Sequence, residues 1–342
     1  MEFARRLLRW HTSVKRPMPW KARTDAYAIW LSEIILQQTR LAQGLPYYER
    51  FIHAFPTVHA LARADEQAVL RLWQGLGYYT RARNLHETAK YVSERLEGRF
   101  PDSYAGLLRL KGIGPYTAAA IASFAYNLPH AVVDGNVFRV LARYTGDATD
   151  IATGRGKRHF TELANRLLDK ERPAAYNQAI MDFGALVCKP AVPLCDHCPL
   201  QADCVAYHTG RIATLPVKSK RTARRLRHFQ YLVFRDGNYF FIRKRTGDDI
   251  WKGLYEFPCL DTGDALPEHR VRARVRAWIG TPPVLVAGPY RQQLTHQTIV
   301  ATFWEVAAPP PPELELIKVA RRRLDAYPFP KVILNYLARN IL

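Results

Sequence analysis

The sequence has no uninterrupted apolar run approaching the ~18 residues that cross a bilayer. Its first ten residues carry charges where a secretion signal would be apolar. These two absences argue against a membrane-spanning or secreted chain, and a cytoplasmic location is expected. Tandem repeats and low-complexity tracts are also lacking, apart from Pro309 to Pro312, which reads as a stiff surface loop. Acidic residues are few, 30 against 50 basic ones, for a net charge of +20. Such an excess suits a polyanion whose phosphates Lys and Arg would neutralise, although charge alone does not separate DNA, RNA and anionic lipid. Cysteine is scarce, with five in 342 residues. Four of them, Cys188, Cys195, Cys198 and Cys204, crowd together while Cys259 stands alone, which suits a metal or cluster site in a reducing compartment better than a disulfide framework.

Hydrophobic residues make up 48% of the chain, so it folds, and its length suits two domains, each with its own core. Residues 1–215 read as helical: Leu61, Val69, Leu70 and Leu72, and again Leu163, Leu167 and Leu168, recur at helical spacing, and Gly and Pro pairs cut the region into short segments. Residues 216–227 read as a basic linker, with six basic residues among the ten from Lys218 to Arg227. From His228 the pattern changes. His228–Phe234 and Tyr239–Ile242 are strand-like and flank Asp236-Gly237, a hairpin signal. Arg270–Ile279 reads as an amphipathic helix. Residues 228–342 are therefore expected to form an α+β domain.

The spacing Cys-x6-Cys-x2-Cys-x5-Cys offers four thiolates to a four-iron cluster or to zinc. Zinc sites commonly use two close pairs, whereas only Cys195 and Cys198 are close here, so the spacing favours iron–sulfur. Such a cluster could fix the loop from Lys189 to Asp203 and present Lys189 and backbone N–H groups to a phosphate. Leu110-Lys111-Gly112-Ile113-Gly114-Pro115 joins two helical segments over about residues 105–125. The two glycines permit a tight turn whose N–H groups, backed by a helix start, can hold a DNA phosphate without reading sequence. Asp134, twenty residues past Gly114 and followed by Gly135, reads as a helix N-cap that can also face a cavity.

The Gly112-Ile113-Gly114 turn, Asp134 and the four-cysteine loop together resemble the helix–hairpin–helix DNA glycosylases that carry an iron–sulfur cluster. Trp30-Leu31-Ser32-Glu33-Ile34-Ile35-Leu36-Gln37-Gln38-Thr39 and Gly75-Leu76-Gly77-Tyr78-Tyr79 narrow the resemblance to the adenine DNA glycosylases of the MutY type. It runs from about Pro19 to Cys204 and continues more weakly through Trp251–Pro258. It implies a mainly α glycosylase domain with a [4Fe-4S] cluster on Cys188, Cys195, Cys198 and Cys204, and a Nudix-like second domain. It also implies a monomer acting on double-stranded DNA that contains adenine opposite 8-oxoguanine or guanine.

The chemistry can be argued beside the resemblance. Adenine leaves well only when N7 is protonated, and the sugar then passes through an oxocarbenium-like cation. One carboxyl must stay protonated and another ionised. Glu33, among Leu31, Ile34, Ile35 and Leu36, is expected to hold its proton because apolar surroundings disfavour its charge. Asp134, at a helix start, is expected to stay an anion. At position 116, lyase relatives carry a Lys that forms a Schiff base. Tyr116 cannot, so the enzyme is expected to leave an abasic site.

By resemblance, Tyr116 assists Asp134, and Trp20, Lys21, Gln178 and Asn136 border the adenine pocket. Gln38 and Tyr78 are implied to insert into the duplex when the base is flipped, and Thr39 to contact the oxidised guanine. Arg81, Lys111, Gly112 and Gly114 are implied at the DNA surface. Leu294-Thr295-His296 resembles a Phe-Ser-His loop that probes the lesion and departs from it at Leu294 and Thr295. A working Nudix hydrolase needs several Glu residues on one helix for magnesium. Here Glu256 and Glu268 are followed by a basic helix, so the second domain is expected to read the lesion and not to hydrolyse. Two rival readings are an oxidised-pyrimidine lyase, which Tyr116 and the second domain oppose, and a non-catalytic DNA-binding or iron–sulfur sensor, which would need one of the two carboxylates lost.

Overall fold

Asp25 starts the helix that carries Glu33. Its backbone is extended and its carboxylate accepts the N–H groups of Tyr27 and Ala28, two of the donors that a helix start leaves orphaned. The computed structural model describes residues 2–14, 16–19, 23–219 and 224–341. The chain forms two units, Met1–Arg63 with Asn84–Lys220 and Ala64–Arg83 with Arg221–Leu342.

The first unit is helical. It contains α1 (Glu2–His11), α2 (Ala26–Leu36), α3 (Leu41–Ala54) and α4 (Val58–Arg63). The next helix, α5 (Glu66–Leu72), belongs to the second unit, and α6 (Thr80–Arg95) leads back to the first. Then come α7 (Tyr104–Leu108), α8 (Pro115–Tyr126), α9 (Gly135–Thr145), α10 (Gly154–Leu167), α11 (Pro173–Leu186) and α12 (Val205–His208). Every residue of α2 from Tyr27 to Ile35 is buried, as expected for a helix that is apolar all round, and it packs on α8. A second core joins Phe3 and Leu7 of α1, Leu141 of α9, Phe160 of α10, and Ile180 and Phe183 of α11.

Between α7 and α8 the two glycines do different jobs. Gly112 has φ 77°, and a Cβ there would stand 2.8 Å from Asn84 Cβ, so only glycine suits it. Gly114 has φ −90° and ψ 178° and would seat a Cβ against nothing within 4 Å. The turn does not need glycine at 114. What the missing side chain does there is leave the first turn of α8 uncovered.

The second unit is built on a mixed sheet of β1 (Arg225–Asp236), β2 (Tyr239–Lys244), β3 (Tyr255–Glu256), β4 (Cys259–Asp261), β5 (Val284–Gln293), β6 (Gln297–Val306) and β7 (Ile317–Ala320), with α13 (Glu268–Ile279) and α14 (Lys331–Asn340). Its order is β3-β2-β1-β6-β5, with β4 also on β1 and β7 on β2. Parallel pairing of β1 with β6 runs from Arg225↔Gln297 to Phe234↔Val306; the other pairs are antiparallel. Alternate β1 and β6 residues face opposite ways. Leu232, Phe234, Trp304 and Val306 meet Val271 and Val275 of α13. Tyr231 stacks on Phe303, and Phe303 on Tyr336 of α14 at 3.9 Å. The expected α+β organisation is thus a sheet covered on both faces, which explains the nearly unbroken burial of β1.

Two limits differ from those read in the sequence. Strand β1 begins at Arg225, inside the stretch read as linker, because its N–H is taken by the His296 carbonyl at 3.0 Å. Residues 64–83 join the second unit through contacts remote in sequence. The Gln67 amide donates to the Ala326 carbonyl at 3.0 Å, the Tyr255 hydroxyl meets Gln67 Oε1 at 3.2 Å, and the Phe329 N–H meets Gln74 Oε1 at 3.1 Å.

Candidate active site

Glu33 lies on the buried face of α2 and is 8% exposed. Burial pushes its carboxyl up to about 7, against the lowering effect of a hydrogen bond with the Tyr116 hydroxyl, and the nearby charge of Asp134 raises it further. The Tyr116 phenol is itself held well above its ordinary value, first by burial and then by the two carboxylates. Asp134 is the N-cap of α9. Its Oδ1 accepts the N–H groups of Asn136 and Val137, both at 2.8 Å, and its Oδ2 accepts Asn136 Nδ2 at 2.7 Å. The helix start does favour the anion, but it does not win outright: burial raises the Asp134 carboxyl above its ordinary value against those bonds.

Glu33, Tyr116, Asp134, Asn136, Gln178 and Thr39 line one cavity of about 530 Å3. An acid that keeps its proton near neutrality, a capped carboxylate and hydrogen-bonding side chains therefore share a space that a nucleoside fits. Trp20 and Lys21 lie outside the described residues. Asn177, next to Gln178, braces the backbone behind the cavity. Its Oδ1 accepts the Val132 N–H at 3.0 Å, and its Nδ2 donates to Ser123 Oγ and the His130 carbonyl, each at 2.8 Å, which fixes the extended approach to Asp134.

Arg139, one turn into α9, connects this cavity to the cysteine loop. It donates to Asn136 Oδ1 at 2.9 Å, to the Gly184 carbonyl at 2.7 Å and to the Cys188 carbonyl at 2.7 Å. Arg143, buried one turn later, donates to the carbonyls of Lys189, Pro190 and Leu215 and stands 3.6 Å from Cys188 Sγ. Burial pushes the Cys198 thiol up to about 11 and raises those of Cys195 and Cys204. All three also feel the charges of other cysteines of the quartet. Two buried guanidinium groups whose partners here are carbonyls and a sulfur fit an anionic group held by these thiolates. Among the described residues no three His, Cys, Asp or Glu side chains converge closely enough to hold a single metal ion.

The residues expected at the DNA surface fall in several places. Gln38 is exposed just after α2, with φ 56°. Tyr78 is 47% exposed, with φ 50°, in a turn where Gly75 and Gly77 also have positive φ. Both residues thus hold a left-handed backbone, which is uncommon away from glycine and carries a conformational cost. Arg81 is not a free surface cation. Its guanidinium lies 5.0 Å from the Trp73 ring and 5.6 Å from the Tyr78 ring, and burial holds it down to about 10. Lys111 is exposed and pairs with Glu87 at 2.6 Å.

In the second unit Leu294, Thr295 and His296 form the loop between β5 and β6, and they line a cavity of about 570 Å3 together with Tyr78, Trp251 and Lys331. Sequence reasoning named the loop and Tyr78 separately; their convergence, and the part of Trp251, carried no sequence signal. Glu256 is buried and bound by Arg243 and Arg245, and Glu268 pairs with Arg272 at 2.7 Å. Both carboxylates are thus engaged by arginines.

A model of the HhH-GPD superfamily of base excision DNA repair proteins matches residues 31–166, and a NUDIX domain model matches residues 230–339. The chain is 37% identical over 262 residues to an adenine DNA glycosylase of Buchnera aphidicola subsp. Baizongia pistaciae, covering 75% of this chain and 73% of the relative. It is 44% identical over 226 residues to the adenine DNA glycosylase of Rattus norvegicus, covering 63% and 44%. Among solved structures, a thermostable thymine-DNA glycosylase superimposes with a TM-score of 0.55 at 27% identity, over 61% of this chain and 96% of that one.

Proposed function

The chain belongs to the adenine DNA glycosylase family, and on that premise we propose that it excises adenine mispaired with 8-oxoguanine or guanine from duplex DNA, leaving an abasic site. The observation that carries this reading is the shared cavity of Glu33 and Asp134, with the Glu33 carboxyl pushed up to about 7.

The flipped adenosine enters with its base toward Glu33. The protonated carboxyl donates to N7, which makes adenine a competent leaving group. Positive charge develops on the sugar as the glycosidic bond breaks, and the Asp134 carboxylate, held by three N–H donors, stabilises it; water then adds at C1′ to give the abasic site, and its released proton restores the Glu33 acid as adenine departs with the proton on N7. Gln178 and Asn136 border the base, with Trp20 and Lys21 assigned there by resemblance. The Tyr116 hydroxyl steadies Glu33, and because a phenol forms no imine, no strand scission is coupled to base loss.

Cys188, Cys195, Cys198 and Cys204 would hold a [4Fe-4S] cluster that, when bound, ties the loop between Lys189 and Asp203 to Arg139 and Arg143. Gly112, Gly114 and Lys111 meet phosphate. Gln38 and Tyr78 enter the duplex, with Arg81 behind Tyr78, and Thr39 contacts the oxidised guanine. The second unit, residues 64–83 with 221–342, reads the lesion with Leu294, Thr295 and His296. The protein acts as a cytoplasmic monomer on DNA.

Duplex DNA carrying adenine opposite 8-oxoguanine, incubated with the protein and then with alkali, tests the reading. Alkali-dependent cleavage at the adenine is expected, with no borohydride-trapped complex. Intact strands, or trapping coupled to base loss, would refute it.

A further inference from the structure

The cavity of about 570 Å3 that Leu294, Thr295 and His296 line has a second wall, the turn after β2 that carries Asp249, Ile250 and Trp251. Trp251 holds a left-handed backbone, φ 62°, and is 8% exposed. A bulky residue keeps that conformation only where its surroundings over-determine it.

One guanidinium joins the two walls. Arg227, on β1, donates to Asp249 through both Nη atoms, at 2.9 and 2.8 Å, and Nη1 also lies 3.4 Å from Oε1 of Gln297, the residue after His296. Its Nε and Nη2 reach Asp261 Oδ2 at 3.0 and 2.5 Å. All five N–H groups are thus engaged, and none is left for a phosphate. Arg245 closes the cluster from within. It donates to Asp249 Oδ2 at 3.2 Å, to the Ile250 carbonyl at 3.0 Å and to Glu256, which Arg243 also binds. Arg227, Arg243 and Arg245 meet Asp249, Asp261 and Glu256, so the charges balance. The Phe229 ring lies 4.8 Å from the Arg227 guanidinium and 5.8 Å from that of Arg245, and Trp251 meets it edge-on with the centroids 5.8 Å apart.

A balanced cluster adds little long-range attraction for DNA, and apolar side chains of the same volume would stabilise the fold as well. What it supplies is geometry. A planar fork bonded on both sides fixes the spacing of Asp249 and Gln297 more narrowly than flexible side chains do. Telling 8-oxoguanine from guanine needs such precision. The two bases differ at one edge, where the oxidised base offers a C8 carbonyl and an N7–H, and guanine a C8–H and a bare N7. A probing loop displaced by about 1 Å would lose that difference and still rest on the duplex.

We propose that Arg227 is a positioning residue for lesion recognition: by clamping Asp249 to Gln297 it holds the Trp251 turn and the Leu294–His296 loop at the spacing that discriminates 8-oxoguanine from guanine. This rests on the reading that the loop probes the lesion.

The test uses the whole protein under single-turnover conditions, on duplexes with adenine opposite 8-oxoguanine and opposite guanine. Arg227→Lys keeps the charge and loses the planar fork that spans Asp249, Asp261 and Gln297. Its ratio of excision rates, 8-oxoguanine over guanine, is expected to fall about 10-fold, with the rate opposite guanine within about twofold of wild type. Asp249→Asn should behave likewise, and the double variant should be no worse than the worse single one, since the two residues act as a unit. Where a single variant does not fold, as judged by melting, Arg227→Met combined with Asp249→Leu removes one charge of each sign. That pair should melt no lower than wild type while its ratio falls as far. An unchanged ratio in Arg227→Lys or in the folded apolar pair, equal losses on the two duplexes, or additive losses would overturn the proposal. If Arg227→Lys keeps the wild-type ratio while alanine at Thr295 and His296 lowers it, the loop reads the lesion without this clamp; if neither change lowers it, the reading itself fails.

Discussion

Arg139 donates its Nε–H to the Cys188 carbonyl at 2.7 Å while its other end reaches Asn136 Oδ1 at 2.9 Å. Asn136 in turn holds Asp134. The carboxylate proposed to face the sugar cation and the first cysteine of the quartet are therefore joined by two side chains. Arg139→Met cuts this connection and leaves α9 intact. Excision is expected to fall about 10- to 100-fold, as for other outer partners of a site, with iron content largely kept. An unchanged single-turnover rate would show that the connection does not matter.

Glu33→Gln separates catalysis from stability. The folded-state value of about 7 lies above that of an unfolded glutamate, so the native protein binds this proton more tightly. Stability from this group is full at low pH and is lost as pH rises toward 7. The variant is therefore expected to match wild type near pH 4 and to exceed it at pH 8 by roughly 2–4 kcal/mol, while excision falls at least about 100-fold. Denaturant unfolding at the two pH values checks the sign.

Tyr116→Phe removes the hydrogen bond that lowers the Glu33 carboxyl. The acid then keeps its proton to higher pH, and the alkaline limb of the excision-rate profile is expected to move upward. A downward shift would mean that the phenol raises the carboxyl.

The two hairpin glycines should respond differently. Gly112→Ala meets both a positive φ and the Asn84 side chain, and a loss of about 1–3 kcal/mol in stability is expected. Gly114→Ala meets nothing in the protein. Its melting temperature should stay near that of wild type while affinity for undamaged duplex falls, which a binding titration at fixed salt would measure.

Replacing Thr295 and His296 together with Ala should weaken excision opposite 8-oxoguanine more than opposite guanine. Equal losses on the two mispairs would count against a reading role for this loop.

The sequence displayed what is encoded locally. The apolar neighbours of Glu33, the Asp-Gly at the start of α9 and the Asp-Gly hairpin after β1 are all short-range patterns, and each has a counterpart in the structure. Contacts across long separations left no trace. Asp182 reaches Arg16 across 166 residues, and Gln67 reaches Ala326 across 259, so neither that ion pair nor the grouping of residues 64–83 could be read. The direction of the Asp134 shift was hidden for a related reason. Its capping partners are adjacent in sequence, but the burial that outweighs them comes from packing elsewhere in the helical unit.

Gln38 and Tyr78 already hold their left-handed backbones in the free protein. The strain, of order 1–3 kcal/mol per residue, is charged to folding and not to each encounter with a helix. A probe that is stiff beforehand loses little freedom on touching an intact base stack. If these residues enter the duplex as proposed, they can test many base pairs in succession without reorganising at any of them.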